Sequence, residues 1–183
     1  MKFVLMFCLL VLQATASNKL KNENLIQNMP KDFKVAYHKY DKNRHFRLLE
    51  FIPKAETLKM WSEMITITIY HRNINVSAAN YVQKITQMWE KGCQGTVVKA
   101  LPSGVENGYN FAQVKLYCPQ SKVTQKPEWM YLKAIKGNDS FYGIQKAFTH
   151  EPNEKEIKET MHYLSTTKVC DTRLNSCGDL PIK

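Results

Sequence analysis

Long apolar runs are almost absent from the 183-residue sequence. The one candidate, Phe3 to Leu12, is far short of the roughly 20 residues needed to cross a bilayer, so the chain reads as having no transmembrane segment. Arginine is scarce too, appearing only at Arg44, Arg47, Arg72 and Arg173 among 26 basic residues. Arginine is the rigid fork for phosphates and bases, whereas lysine is a flexible point charge. The balance therefore favours loose attraction to anionic surfaces over specific nucleic-acid reading. Also missing are the G-x-S-x-G elbow, the P-loop, G-x-G-x-x-G, H-E-x-x-H and the EF-hand loop. Their absence removes the commonest mechanisms without excluding an enzyme. With no C-x-x-C and no paired histidine spacing, neither a metal nor a cofactor is expected.

The start of the chain is Met1-Lys2, then the apolar run, then Gln13-Ala14-Thr15-Ala16. A charged start, a short apolar core and an Ala-x-Ala site read as a secretory signal over residues 1–16, cleaved before Ser17. Residues 17–30 are polar and rich in Asn and Lys, and read as a flexible N-terminal arm. Residues 31–183 read as a single α+β domain, because the hydrophobic content of 44% can supply a core. The net charge is +10. Cys8 lies in the leader and leaves Cys93, Cys118, Cys170 and Cys177. An even number in an exported chain reads as disulfides, for which Cys93–Cys118 and Cys170–Cys177 are the favoured pairs. The expected location is outside the cytoplasm, secreted or periplasmic.

Phe33 to Tyr40 and His45 to Ile52 read as a hairpin around Asp41-Lys42-Asn43-Arg44. Ile65, Ile67 and Ile69 alternate with Thr66, Thr68 and Tyr70 in a strand. A helix follows, with Ser77 as its N-cap, Ala78, Val82, Ile85 and Trp89 as its apolar line and Gly92 as its stop. Four strands are expected at about 96–101, 109–118, 129–136 and 141–148. Pro102-Ser103-Gly104 and Gly137-Asn138-Asp139 are read as turns. Asn153 and Glu156 form a capping box for a second helix, whose apolar line is Ile157, Met161, Leu164 and the stem of Lys168. The expected fold is an antiparallel β-sheet of about six or seven strands packed with two main α-helices, since nothing alternates as β-α-β.

This order of elements resembles the PsbP-like fold over most of the mature chain, a likeness of layout that implies no activity. The signal peptide, the Lys/Asn-rich style and the segment Trp61-Ser62-Glu63-Met64-Ile65-Thr66 resemble small exported proteins of gamma-proteobacteria.

Candidate chemistry is sparse. Gly92-Cys93-Gln94-Gly95 partly matches the caspase nucleophile signature, with His45 upstream at about the expected spacing. Lys91 and Gly92 replace the signature's Gln and Ala, however, and an exported cysteine with a partner oxidises. No two of His38, His45, His71, His150 and His162 share an i, i+4 helical face. Glu154, Glu156 and Glu159 complement a helix N-terminus. Asn75-Val76-Ser77 and Asn138-Asp139-Ser140 fit the N-glycosylation pattern, which matters only in a eukaryote. The remaining feature is the first hairpin, where Lys34, Lys39, Lys42, Arg44 and Arg47 interleave with Phe33, Tyr37, His38, Tyr40, His45 and Phe46. That pattern either contacts an anionic partner or, more simply, places the aromatics in the core and the cations in water. The sequence reads as an exported, non-enzymatic binding or interaction module with an anionic surface or a protein as partner. The alternatives are a hydrolase or other enzyme without a recognisable motif, and a structural component of the cell envelope.

Overall fold

The isoleucine strand predicted at residues 64–70 lies near the middle of a seven-stranded sheet in a computed structural model of the protein. Residues 22–72 and 75–177 are described; the segment expected to be a signal peptide and the first residues of the expected arm lie outside them. The elements in chain order are β1 (Glu23–Ile26), β2 (Phe33–Asp41), β3 (Phe46–Pro53), β4 (Glu63–His71), α1 (Ala78–Gly92), β5 (Val97–Glu106), β6 (Tyr109–Cys118), β7 (Glu128–Lys136), β8 (Ser140–Phe148), α2 (Glu154–Thr166) and β9 (Lys168–Asp171). The main sheet has the order β2-β3-β4-β8-β7-β6-β5, and every neighbouring pair is antiparallel. The α+β class is as expected.

Each helix buries its stripe on a different face of the sheet. On one face, Ala78 and Tyr81 of α1 join Ala112, Val114, Leu116, Met130, Leu132 and Ala134, with Trp89 half-buried at the margin. On the other face, Tyr163 and Leu164 of α2 join Ile65, Ile67, Tyr131, Ile135, Ile144 and Phe148. The central strands β7 and β8 are therefore covered on both sides, and β7 has an unbroken buried run from Met130 to Ile135 in place of alternation. Lys133 lies inside that run. Its Nζ donates to Glu106 Oε2 at 2.7 Å and to the Leu164 and Thr167 carbonyls at 2.8 and 2.9 Å. A buried cation thus caps the C-terminal carbonyls of α2.

Both expected disulfides are present. Cys93–Cys118 joins the end of α1 to the end of β6, and Cys170–Cys177 closes the loop after β9. The N-caps are also as expected: Ser77 accepts from the Asn80 N–H, and Asn153 and Glu156 form the complete capping box.

Three expectations are corrected. Pro102-Ser103-Gly104 is not a turn. β5 runs through it with a register shift between Leu101 and Gly104, which is tolerable because β5 is an edge strand where a proline leaves no ladder bond unmade. The reversal comes instead at Asn107-Gly108, both left-handed with φ of 53° and 82°, the geometry of a two-residue hairpin turn. Second, the N-terminal arm contains a strand. β1 pairs with β9 in a separate two-stranded sheet. The Glu23 carboxylate accepts the N–H groups of Asn138, Asp139 and Ser140 and the Tyr142 hydroxyl. Third, Lys168 belongs to β9, because α2 ends at Thr166.

Candidate functional site

The turn of the first hairpin is built by Asp41, whose Oδ1 accepts the N–H groups of Asn43 and Arg44 at 3.1 Å each. An aspartate gripping its own following backbone is a standard way to reverse a chain. β2 is the outer strand of the sheet, so its side chains have no further strand beside them. Tyr37 and Tyr40 are 41% and 54% exposed, and Val35 is also exposed. The simple reading, with the hairpin aromatics in the core, holds for Phe33 and fails for these tyrosines.

The five basic residues named from the sequence do not form one cluster. Lys34 sits at the far end of β2, where its Nζ donates to the Lys54 carbonyl at 2.8 Å. Eight residues of extended chain, about 26 Å, separate it from Lys42. Register places Lys39 opposite Leu48 and Tyr40 opposite Arg47, so Lys39 and Arg47 project from opposite faces of the sheet. Lys42 and Arg44 occupy the turn, with Arg44 Nε 3.7 Å from Asp41 Oδ2. Lys39, Lys42 and Arg47 are exposed and have no ion pair among the described residues.

The end of β4 adds two residues that sequence reasoning missed. The His71 N–H donates to the His45 carbonyl at 2.7 Å, and the Arg72 N–H donates to the Asp139 carbonyl at 2.9 Å. The His71 imidazole is held below its ordinary pKa by burial first, then by Arg47 and His45, as expected of a weak base among cations. His45 and Arg72 both adopt left-handed backbone, with φ of 49° and 63°. At His45 this closes the hairpin turn, where the His45 N–H donates to the Lys42 carbonyl at 3.4 Å, a position where histidine accepts the left-handed region. The signal for this corner was the antiparallel β3–β4 pairing, which sets Phe46 opposite Tyr70 and Arg47 opposite Ile69.

The fourth arginine is occupied elsewhere. Arg173 binds Asp171 through Nε and Nη2, and its Nη2 lies 2.6 Å from Asp139 Oδ2. Three of the four arginines, Arg44, Arg47 and Arg72, therefore share one corner of the sheet with Lys42, His45 and His71.

A second polar site lies between α2 and the sheet. It is a cavity of about 150 Å³ lined by Asp32, Phe33, Glu63, Lys146, Glu156, Glu159, Thr160 and Tyr163, among others. Lys146 Nζ is 2.5 Å from Glu63 Oε2 and lies over the Phe33 and Phe148 rings at 4.4 and 5.2 Å. Glu156 accepts the Asn153 N–H and sits 3.0 Å from His150 Nε2. Thr160 is 1% exposed, and its Oγ1 has no hydrogen-bond partner. Cys93 is bonded to Cys118, which removes the thiolate that a caspase-like reading would require. No group of three His, Cys, Asp or Glu side chains able to hold a metal occurs among the described residues, and no described helix is long and apolar enough to cross a membrane.

No family model matches the chain, and no curated protein is similar to it. Among solved structures, the fold is similar to that of LpqN, described as involved in cell envelope biogenesis of Mycobacterium tuberculosis. The identity is 6% over 83% of this chain and 86% of that one, with a TM-score of 0.45.

Proposed function

We propose that the protein is an exported, non-enzymatic binding module that engages an anionic phospholipid surface through the corner formed by Lys42, Arg44, Arg47 and Arg72. The observation that carries this reading is the gathering of three of the four arginines at one exposed corner, beside the solvent-facing Tyr40. Clustered cations attract anionic headgroups, and amphipathic aromatics such as tyrosine sit well at a membrane interface. The disulfides fit an oxidising compartment. The cavity under α2 collects polar groups as an enzyme would, but of its two hydroxyls Thr160 has no base within hydrogen-bonding distance and Tyr163 donates to the Gln27 side-chain carbonyl. That supports binding over catalysis.

Sedimentation with phosphatidylglycerol and phosphatidylcholine vesicles, at low and high salt, tests the reading. The protein should pellet with the anionic vesicles alone, and less at high salt because exposed charges are screened. At about 1 kcal/mol per basic residue near the surface, removing three arginines weakens binding by about 100-fold. The triple variant Arg44→Glu, Arg47→Glu, Arg72→Glu should therefore lose binding, while Lys34→Glu, about 26 Å away along β2, should bind nearly as wild type. Indifference of the wild type to anionic vesicles at low salt refutes the proposal. Undiminished binding by the triple variant does so equally.

A further inference from the structure

The cavity beneath α2 is anomalous in a protein with a net charge of +10. Four carboxylates, Asp32, Glu63, Glu156 and Glu159, line it against one ammonium, that of Lys146. Glu156, Glu159, Thr160 and Tyr163 lie within eight residues of α2 at spacings that put them on one face. Lys146 pairs with Glu63, lies over two aromatic rings and also helps to keep Glu156 ionised. Of the flanking bases, His150 is bound to Glu156, and Lys155 lies 3.8 Å from Glu159 on the solvent side. The acids alone would be an ordinary solvated helix face. Thr160 sets the cavity apart, because a 99% buried hydroxyl without a partner is disfavoured unless something in the cavity satisfies it.

We propose that this cavity is a binding site for a small primary ammonium compound. The ammonium donates one hydrogen bond to Thr160 Oγ1, and Glu159 and Asp32 balance its charge at the mouth. The protein's own Lys146 nitrogen already takes Glu63 and the Phe33 and Phe148 rings, so a ligand ammonium is left with Thr160, Glu159 and Asp32. The volume of about 150 Å³ equals that of about five waters, which admits a molecule of a few heavy atoms and little more. A metal ion is the poorer occupant, because no set of three suitable ligands converges among the described residues. This site is independent of the basic corner, and either can fail without the other.

The test uses the full mature chain with its disulfides intact and three probes of nearly equal size: ethanolamine, ethylene glycol and glycolate. Backbone amide shifts of Thr160, Tyr163 and Phe148 are followed by NMR during titration at fixed salt. Ethanolamine should give saturable shifts at these residues, and the neutral and anionic probes should not. Thr160→Val keeps the shape and removes the acceptor, so ethanolamine affinity should fall about tenfold or more, as expected for a lost hydrogen bond to a charged group. Glu159→Gln, at an exposed position that leaves folding intact, should weaken it several-fold. The absence of saturable shifts, or equal shifts with ethylene glycol, means a water-filled cavity and overturns the proposal. Unchanged affinity in both variants also overturns it.

Discussion

Replacing Lys133 by Met is the sharpest test of how the two layers are joined. Lys133 is fully buried, and methionine nearly matches its stem while removing the ammonium. The substitution leaves the Leu164 and Thr167 carbonyls at the end of α2, together with Glu106, without their donor. Removing one member of a buried pair typically costs 3–5 kcal/mol. Here Glu106 is partly exposed and keeps Lys168 at 3.8 Å, which brings the expected cost to about 2–4 kcal/mol. For a chain of this size that is a fall of roughly 4–16 °C in melting temperature. Burial lowers the Lys133 pKa, and Glu106 restores part of it. The unfolded chain therefore binds more protons between the lowered value and the ordinary 10.5, so wild-type stability rises with pH across that alkaline window. Calorimetry of both proteins at neutral and alkaline pH measures both effects. A Lys133→Met protein as stable as wild type, without the alkaline slope of the wild type, would show that desolvation of the ammonium cancels its three bonds, and the capping argument would fail.

Other outcomes follow from single contacts. Replacing Cys93 and Cys118 by Ser should cost about 1 kcal/mol more than replacing Cys170 and Cys177, since the loops span 25 and 7 residues and closure entropy grows with length; equal denaturation midpoints would contradict this. For Glu156, burial opposes ionisation but is outweighed by the Asn153 N–H and by His150, and the pKa is lowered. Its contribution is present above the ordinary value near 4.5 and lost as pH falls through the folded one, so Glu156→Gln should flatten the acid limb of a stability profile. Glu23→Ala should speed amide exchange at Asn138, Asp139 and Ser140, because their acceptor disappears.

What was legible in the sequence is local, and what was not depends on partners far along the chain. The Ile65/Ile67/Ile69 alternation, the Ser77 cap and the Asn153–Glu156 box each identify an element within a few residues. β1 could not be seen this way. Glu-Asn-Leu-Ile has no strand signature of its own, and it is held by β9 about 145 residues on. Lys133 likewise sits in an apolar run as an apparent violation until the end of α2 supplies its acceptors. The Asn107-Gly108 turn was legible and was obscured by Pro102-Ser103-Gly104, whose proline is harmless only because β5 is an edge strand. At the basic corner, Lys42, Arg44 and Arg47 could be read from one hairpin. His71 and Arg72 join them only through the register of β3 on β4, and the same register leaves Lys34 outside.

Asp139 connects the structural ion pairs to the proposed surface. Its backbone carbonyl holds the Arg72 N–H at 2.9 Å, yet its carboxylate lies 2.6 Å from Arg173, so the acid beside the corner is already neutralised. Freeing that carboxylate should place an unbalanced negative charge next to Arg72. Arg173→Gln does so and should weaken binding to anionic vesicles, although Arg173 itself lies outside the corner. Asp139→Asn removes the charge altogether and should leave binding equal to or tighter than wild type. Both residues are about half exposed, so each effect is expected to be about a few-fold in affinity at most and should shrink at high salt. Arg173 also serves Asp171, whose carboxylate it helps to keep below the usual pKa, and a melting curve must accompany the measurement to separate lost fold from lost field. If Arg173→Gln stays folded and binds as tightly as wild type while Asp139→Asn binds more weakly, the sign of the electrostatic argument is wrong.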